Sequence, residues 1–379
     1  MKKIVICGNY GATNIGDESI LAGILTLIKE TYPDGGANMP DITVLSANPE
    51  TTTALHNVKS LPLLPAGPRS FFKGLFSGSI FKTLDAIRKC DGFILGGGGL
   101  FNDDKPFSII IWGLQAKFAL LFKKPLFCLG QSVGPLKYFF SRFIVKSVYS
   151  RARVISLRDH KSQGLLHKMG CPLATVLTDP AFALHTDFPG ITEREKFVVL
   201  TVSPSHRDKS PILYQNLAHA IDRIFAKFGY KTVLMPFSSY PENDTAVLTE
   251  ILSRVKNQSA VELFEYSPDF HKALELISRA KAVIGMRLHS LIFATLTRTP
   301  FLTLAYSDKV ASFATETGMD EYLLNLSDIS ADHVANKFAQ LMDNYDRITL
   351  NLTEKNAILR AEARKHEDLL RLFVDSLGA

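Results

Sequence analysis

The sequence predicts an α/β protein of two open parallel-sheet domains with a ligand cleft between them, on three observations. Short β-branched runs alternate with stretches of helical periodicity almost from end to end, the pattern of a parallel sheet covered by helices. The pattern lapses between about residues 183 and 196, where His185, Pro189, Gly190 and the run Glu193-Arg194-Glu195-Lys196 carry no hydrophobic period, and then it restarts. The chain has 379 residues, too many for one ordinary domain and a natural size for two.

In the first half, residues 4–7, 42–45, 92–95, 126–129 and 154–157 read as strands. Helical stretches at 18–30, 107–122, 140–151 and 160–169 lie among them. In the second half, strands are expected at 197–202, 231–235, 261–264, 282–284 and 301–304, and helices at 211–228, 243–255, 270–278 and 288–297. The expected division is a first domain over 1–186, a linker over 187–196, a second domain over 197–355 and a charged amphipathic helix over 356–379.

Hydrophobic residues make up 46% and charged residues 21%, enough for two sizeable cores and against long disorder. The net charge of +6 is a mild excess. It suits anionic small molecules or an anionic membrane surface and is too diffuse to argue for nucleic acid. The four cysteines show no Cys-x-x-Cys pair. Cys7, Cys90 and Cys128 lie in or beside apolar segments, which favours reduced core thiols over disulfides or zinc, with Cys171 the fourth. The longest apolar stretch, 107–129, is broken by Gln115, Lys117, Lys123, Lys124 and Pro125, so it reads as helix, turn and strand and not as a membrane span. Met1-Lys2-Lys3 leads straight into a strand with no signal-peptide pattern, and a cytoplasmic protein is expected.

In open parallel sheets ligands sit beyond the carboxyl ends of strands, so residues that directly follow strands are the informative ones. The loop Gly8-Asn9-Tyr10-Gly11-Ala12-Thr13-Asn14-Ile15-Gly16-Asp17-Glu18 follows a strand and opens a helix. It offers backbone N–H groups to an anion or sugar hydroxyl, or else is a tight turn capped by Asn14 or Asp17. No Gly-x-Gly-x-x-Gly fingerprint can be laid on it. Gly96-Gly97-Gly98-Gly99 follows the next strand of interest, and four glycines in an ordered loop point to a backbone cradle at Gly97 and Gly98. Gln131, in Gly130-Gln131-Ser132-Val133-Gly134-Pro135, is either a substrate contact or part of a simple turn. Arg158 is a candidate carboxylate or phosphate clamp against a solvated arginine, and Asp179, before Pro180, a site residue against a turn cap.

The strongest block is Met286-Arg287-Leu288-His289, between a strand and an apolar helix. If the segment is extended, Arg287 and His289 project on the same side, a cation and a titratable imidazole suited to an anionic substrate that needs a proton moved. The alternative is a capping histidine beside a surface arginine. Lys309 follows the next strand as a phosphate contact. No metal-ligand spacing, P-loop or nucleophile elbow occurs.

These blocks, with Ser156-Leu157-Arg158-Asp159 and Thr178-Asp179-Pro180, occur in an order that resembles the polysaccharide pyruvyl transferase family over most of the chain. The resemblance implies two Rossmann-like domains facing across a cleft in a GT-B-like arrangement. It implies transfer of the pyruvate skeleton of phosphoenolpyruvate onto two sugar hydroxyls as a ketal, with release of phosphate and no metal or organic cofactor. His289 maps to the family's catalytic histidine, and Arg287 and Arg158 to its donor-binding arginines. The implied acceptor is a cell-wall or exopolysaccharide sugar, or a lipid-linked glycan. A GT-B glycosyltransferase using a nucleotide sugar and a catalytically silent sugar- or anion-binding protein are the rival readings. Arg69-Ser70-Phe71-Phe72-Lys73-Gly74-Leu75-Phe76, Ile80-Phe81-Lys82 and Lys137-Tyr138-Phe139-Phe140 interleave basic and aromatic residues. That suits peripheral contact at the inner membrane face, or an ordinary amphipathic segment.

Overall fold

The computed structural model describes residues 1–33, 39–104, 106–186, 193–204 and 211–378. The chain forms two compact units. One comprises Met1–Ala12, Asp17–Leu184 and Leu359–Ala379, the other Thr13–Gly16 and His185–Ile358. Residues 187–192 of the expected linker lie outside the described residues.

The first unit begins with β1 (Lys3–Cys7), α1 (Ile15–Thr31), β2 (Asp41–Ser46), α2 (Pro49–His56) and β3 (Lys59–Pro62). It continues with α3 (Pro68–Phe76), α4 (Ser79–Lys89), β4 (Gly92–Phe101), α5 (Pro106–Leu121), β5 (Leu126–Val133), α6 (Phe139–Tyr149), β6 (Val154–Leu157), α7 (His160–Lys168) and β7 (Thr175–Val176). The strands form one parallel sheet in the order β3-β2-β1-β4-β5-β6-β7. β5 is buried along its whole length, and its first half, Leu126-Phe127-Cys128-Leu129, reads as a continuous apolar run and not as an alternation. On one face, Val5, Cys7, Phe93, Leu95, Leu126 and Cys128 carry the apolar sides of α4, α5 and α6.

The second unit contains β8 (Glu195–Thr201), α8 (Pro211–Phe228), β9 (Lys231–Leu234), α9 (Asp244–Arg254), β10 (Val261–Leu263), α10 (Phe270–Arg279), β11 (Ala280–Gly285), α11 (Leu288–Leu296), β12 (Phe301–Ala305), α12 (Asp308–Glu316), β13 (Leu323–Asn325) and α13 (Ala331–Asp343). Its sheet is also parallel, in the order β10-β9-β8-β11-β12-β13. Both sheets reverse their strand order once, between β1 and β4 and between β8 and β11. Those reversals are where open α/β sheets receive ligands.

The single helix expected over 356–379 is two helices, α14 (Tyr345–Arg364) and α15 (His366–Asp375), separated at Lys365. The residues from Leu359 onward pack with the first unit, where Phe373 lies against Phe127 with ring centroids 5.5 Å apart. α3 and α4 fill a stretch for which the sequence showed only basic and aromatic residues. All four cysteines are buried free thiols, and burial pushes Cys90 up to about 12. Among the described residues no helix is long and apolar enough to cross a membrane.

Candidate active site

In the first unit the loop after β1 is stapled from several sides. Tyr10 is buried and its hydroxyl donates to the Gly96 carbonyl at 2.9 Å; Asn9 Nδ2 donates to Asp17 Oδ2 at 2.7 Å. Glu18 accepts from Gly11 N at 2.7 Å and lies 2.8 Å from His56 Nε2. The four glycines belong to β4 itself and not to a free loop. Gly97 and Gly98 have φ of +68° and +79°, and a Cβ on Gly97 would lie 2.0 Å from Ile20 Cγ2. The glycines therefore admit α1 against the strand, and Asp17 sits beside Gly98 at the carboxyl end of the sheet.

Arg158 is nearly buried at the end of β6. Its Nε donates to Ser132 Oγ at 2.7 Å and its Nη1 to Asp179 Oδ2 at 2.5 Å. Ser132 Oγ in turn donates to Asp159 Oδ2 at 2.7 Å, and Asp159 caps α7 through Ser162 N. Burial works against the Asp159 charge, but these hydrogen bonds and Arg158 outweigh it and hold the carboxyl below its usual range. Asp179 caps the following turn by accepting from Ala181 N at 3.0 Å. Arg158 is thus oriented by two partners, with its Nη2 unengaged among the described residues. Gln131 is different. It is fully buried, its Nε2 donates to the Leu95 carbonyl at 2.6 Å and its Oε1 accepts from the Tyr149 hydroxyl. Both ends of that amide are spent bracing β4 and α6, so the expected substrate contact is corrected to a structural one.

The second unit holds the Arg-x-His block at the reversal between β8 and β11. The expectation of an extended segment with Arg287 and His289 on one side is corrected. Arg287 caps α11 in an extended conformation, while His289 is already inside the helix. The arginine turns to α9 and the loop before it. Its Nε donates to Asp244 Oδ2 at 3.1 Å, Nη2 donates to Asp244 Oδ1 and Nη1 donates to Glu242 Oε2 at 2.5 Å. Asp244 also accepts from Phe237 N and Ser238 N at 2.9 and 3.0 Å. Burial disfavours the charge on Arg287, but Asp244 and Glu242 more than compensate and raise its pKa. Burial pushes the Asp244 carboxyl up, with Arg287 and the two backbone N–H groups pulling against it. All four hydrogen bonds favour the ionised form of Asp244 and oppose the effect of burial.

His289 lies against Gly16, where an added Cβ would come within 2.2 Å of its Nδ1. Gly16 belongs to the short segment Thr13–Gly16, which is part of this unit. Ile15 N donates to the Phe237 carbonyl at 2.9 Å, Asn14 bridges Ser238, and Asn14 Oδ1 accepts from Gly16 N at 2.9 Å. Asn14 therefore shapes the turn that carries the glycine under the imidazole. Thr201, at the end of β8, joins Ser290 of α11 with their hydroxyls 2.9 Å apart. Lys309 stands in the first turn of α12, after β12. Asp244 and Glu242, which orient Arg287, were missed from the sequence because they lie far along the chain in an unremarkable helix start. Ser132 and Asp159 stand in the blocks read from the sequence, but their relay to Arg158 is set by the pairing of β5 with β6, which the linear order does not show.

The strand orders and the polar residues gathered at both reversals define a GT-B-like protein of two parallel-sheet α/β domains. Solved structures agree on the fold. A UDP-GlcNAc 2-epimerase from Neisseria meningitidis bound to UDP-GlcNAc superposes with a TM-score of 0.63 at 15% identity, covering 98% of this chain and 100% of that one. HepE from Anabaena, in complex with UDP-glucose, gives 0.63 at 13% identity with full coverage of both chains, 100% and 100%. The family description "Polysaccharide pyruvyl transferase" matches residues 14–308, and the chain belongs to that family. It is also similar to the amylovoran biosynthesis protein AmsJ of Erwinia amylovora, 24% identical over 91% of this chain and 93% of that one.

Proposed function

We propose that the protein transfers the pyruvate skeleton of phosphoenolpyruvate onto two hydroxyls of an exopolysaccharide or cell-wall sugar, forming a ketal and releasing phosphate. The observation that carries this reading is the position of His289. In a chain of this family, it sits in the first turn of α11 at the strand-order reversal of the second sheet, beside the charged Arg287.

Phosphoenolpyruvate brings a carboxylate and a phosphate, which suit cations and helix N-termini. Arg287, whose charge is matched by Asp244 and Glu242, offers the one N–H left on each Nη as an oriented hydrogen-bond donor, and Lys309 supplies a cation in the first turn of α12. In the first unit, Arg158, braced by Ser132 and Asp179, and the backbone around Asp17, Gly97 and Gly98 are assigned to substrate contacts. A proton added to the methylene carbon of phosphoenolpyruvate leaves an oxocarbenium centre on its neighbour. One sugar hydroxyl bonds there and loses its proton. Phosphate then departs with the C–O electron pair, and the second hydroxyl bonds to the same carbon and loses its proton. His289 moves one of these protons, to the methylene carbon or from an attacking hydroxyl.

The test is phosphate release from phosphoenolpyruvate with a panel of glycans and lipid-linked sugars, with products weighed by mass spectrometry. Acceptor-dependent release and a product bearing a pyruvate ketal support the proposal. Stabilisation by a nucleotide sugar, with no release from phosphoenolpyruvate on any acceptor, would replace it with glycosyl transfer.

A further inference from the structure

The first unit carries a surface that the proposed chemistry does not use. α4, α5 and α6 pack side by side on one face of its sheet. α5 and α6 each follow the carboxyl end of a strand, and α4 runs toward the amino end of β4, so all three helices begin at the carboxyl edge of the sheet. The exposed aromatic side chains gather at those beginnings. Phe81 opens α4, Phe107 opens α5, and Tyr138, Phe139, Phe140 and Phe143 open α6. Phe76 and Phe139 are 87% and 85% exposed, values at which a phenylalanine has no packing role within its own chain.

α3 extends this surface. Gly74 is its buried residue, and a Cβ there would lie 2.9 Å from Ile80 Cγ1, so α3 rests on α4 by its glycine. Phe71, Phe72, Leu75 and Phe76 are left exposed, with the Phe71 and Phe72 rings edge to face at 6.0 Å. The charge is one-sided. The exposed cations are Arg69, Lys73 and Lys82 in the first stretch and Lys137, Arg142, Lys146, Arg151 and Arg153 in the second, and no Asp or Glu occurs between residues 66 and 84 or between 136 and 157. The nearby carboxylates are occupied, and Asp85 on α4 lies 2.8 Å from Lys89. Asp103 is buried and accepts from Lys137 N and Tyr138 N, and Asp104 pairs with Lys137 at 2.8 Å.

We infer that this face of the first unit docks onto an anionic phospholipid bilayer, with the aromatic rings of α3 and α6 entering the headgroup boundary and the surrounding lysines and arginines facing lipid phosphates. Charge complementarity selects this occupant. Amphipathic aromatic faces rimmed by an excess of cations bind anionic lipid surfaces by both apolar burial and Coulomb attraction. Helix N-termini aimed the same way add positive potential. The inference concerns where the chain resides and does not depend on the reaction it catalyses.

The test is co-sedimentation of the full chain with vesicles of phosphatidylcholine alone and of phosphatidylcholine mixed with phosphatidylglycerol. Binding to the phosphatidylglycerol vesicles and little to phosphatidylcholine is expected. The double variant Phe76→Ser, Phe139→Ser should weaken binding by at least about tenfold. Lys73→Glu and Lys82→Glu should each weaken it by about fivefold or more. All four residues are exposed, so melting temperatures should match the parent's. Absence of binding to phosphatidylglycerol vesicles would overturn the proposal, as would binding unaffected by all these changes. A dimer in solution that the Phe76→Ser, Phe139→Ser variant converts to monomer would also overturn it, assigning the face to self-association.

Discussion

Arg287 and Asp244 are joined at two points inside the second unit, Nε to Oδ2 at 3.1 Å and Nη2 to Oδ1, with the carboxylate fully buried. Each guanidinium nitrogen already has a carboxylate partner, so only the second N–H of each Nη is left for a ligand. The pair fixes the direction of that remaining donor capacity. Asp244 also closes the Phe237–Ser238 turn, which carries Thr13–Gly16 on its other side.

Asp244→Ala should therefore destabilise the protein severely. It leaves a nearly buried guanidinium with Glu242 as its one carboxylate partner and strands two backbone N–H groups, and breaking a buried pair costs about 3–5 kcal/mol. Urea denaturation monitored by circular dichroism measures this. A loss below about 1 kcal/mol would mean that Glu242 alone, or water, satisfies Arg287.

Gly16 and His289 make a second prediction. A methyl group on Gly16 occupies the space of Nδ1, so Gly16→Ala must push the imidazole aside. A misplacement near 1 Å costs on the order of a hundredfold in turnover when the displaced group takes part in the reaction. His289→Ala should cost about 10²–10⁴-fold in kcat, the range for general acid–base groups, with phosphoenolpyruvate affinity largely retained. Near-parental kcat in both variants would remove His289 from the chemistry.

Gly97 separates a close-packing role from a chemical one. Gly97→Ala meets Ile20 at 2.0 Å and requires a side chain at φ +68°, so a loss of about 2–5 kcal/mol is expected. Gly164, inside α7, has nothing within 4 Å of an added Cβ. Gly164→Ala should stabilise by about 0.5–1 kcal/mol. Equilibrium unfolding of the two variants side by side reads both signs. Equal effects would mean that α1 does not rest on β4 through these glycines.

Much of this architecture is legible in the sequence because fully buried parallel strands are short β-branched or apolar runs. β1, β5, β8 and β11 all read that way, and the loops that follow them hold the polar blocks. What periodicity cannot show is which partner a charged side chain chooses. Arg287 and His289 alternate along the chain and yet part company, because a helix begins between them and because Asp244, a distant residue, captures the arginine. Gln131 looks like a loop residue from its glycine and proline neighbours, yet β5 continues through it and closes it inside the sheet. The four glycines invited a phosphate cradle, and the structure supplies a second cause, the approach of Ile20 and Tyr10. Nor does the charged pattern of the last helices mark His366 as a core residue.

His366 carries the last prediction. It is fully buried in the first unit, its Nδ1–H donates to the Ala363 carbonyl at 3.0 Å, and its Nε2 has no partner among the described residues. Burial lowers its pKa from 6.5 to about 4, with the Ala363 carbonyl and Asp179 acting weakly the other way. The unfolded chain therefore binds a proton in a window where the folded chain does not. Its contribution to stability is complete above pH ~6.5 and is lost as the pH falls toward ~4, in all on the order of 3 kcal/mol. His366→Asn can still donate to Ala363 but does not titrate there. Unfolding free energies of parent and variant, measured from pH 7 to pH 4, should converge across that window as the parent loses its histidine contribution. Parallel curves would show that the imidazole is hydrated or protonated in the folded protein and that its burial carries no pH-dependent cost.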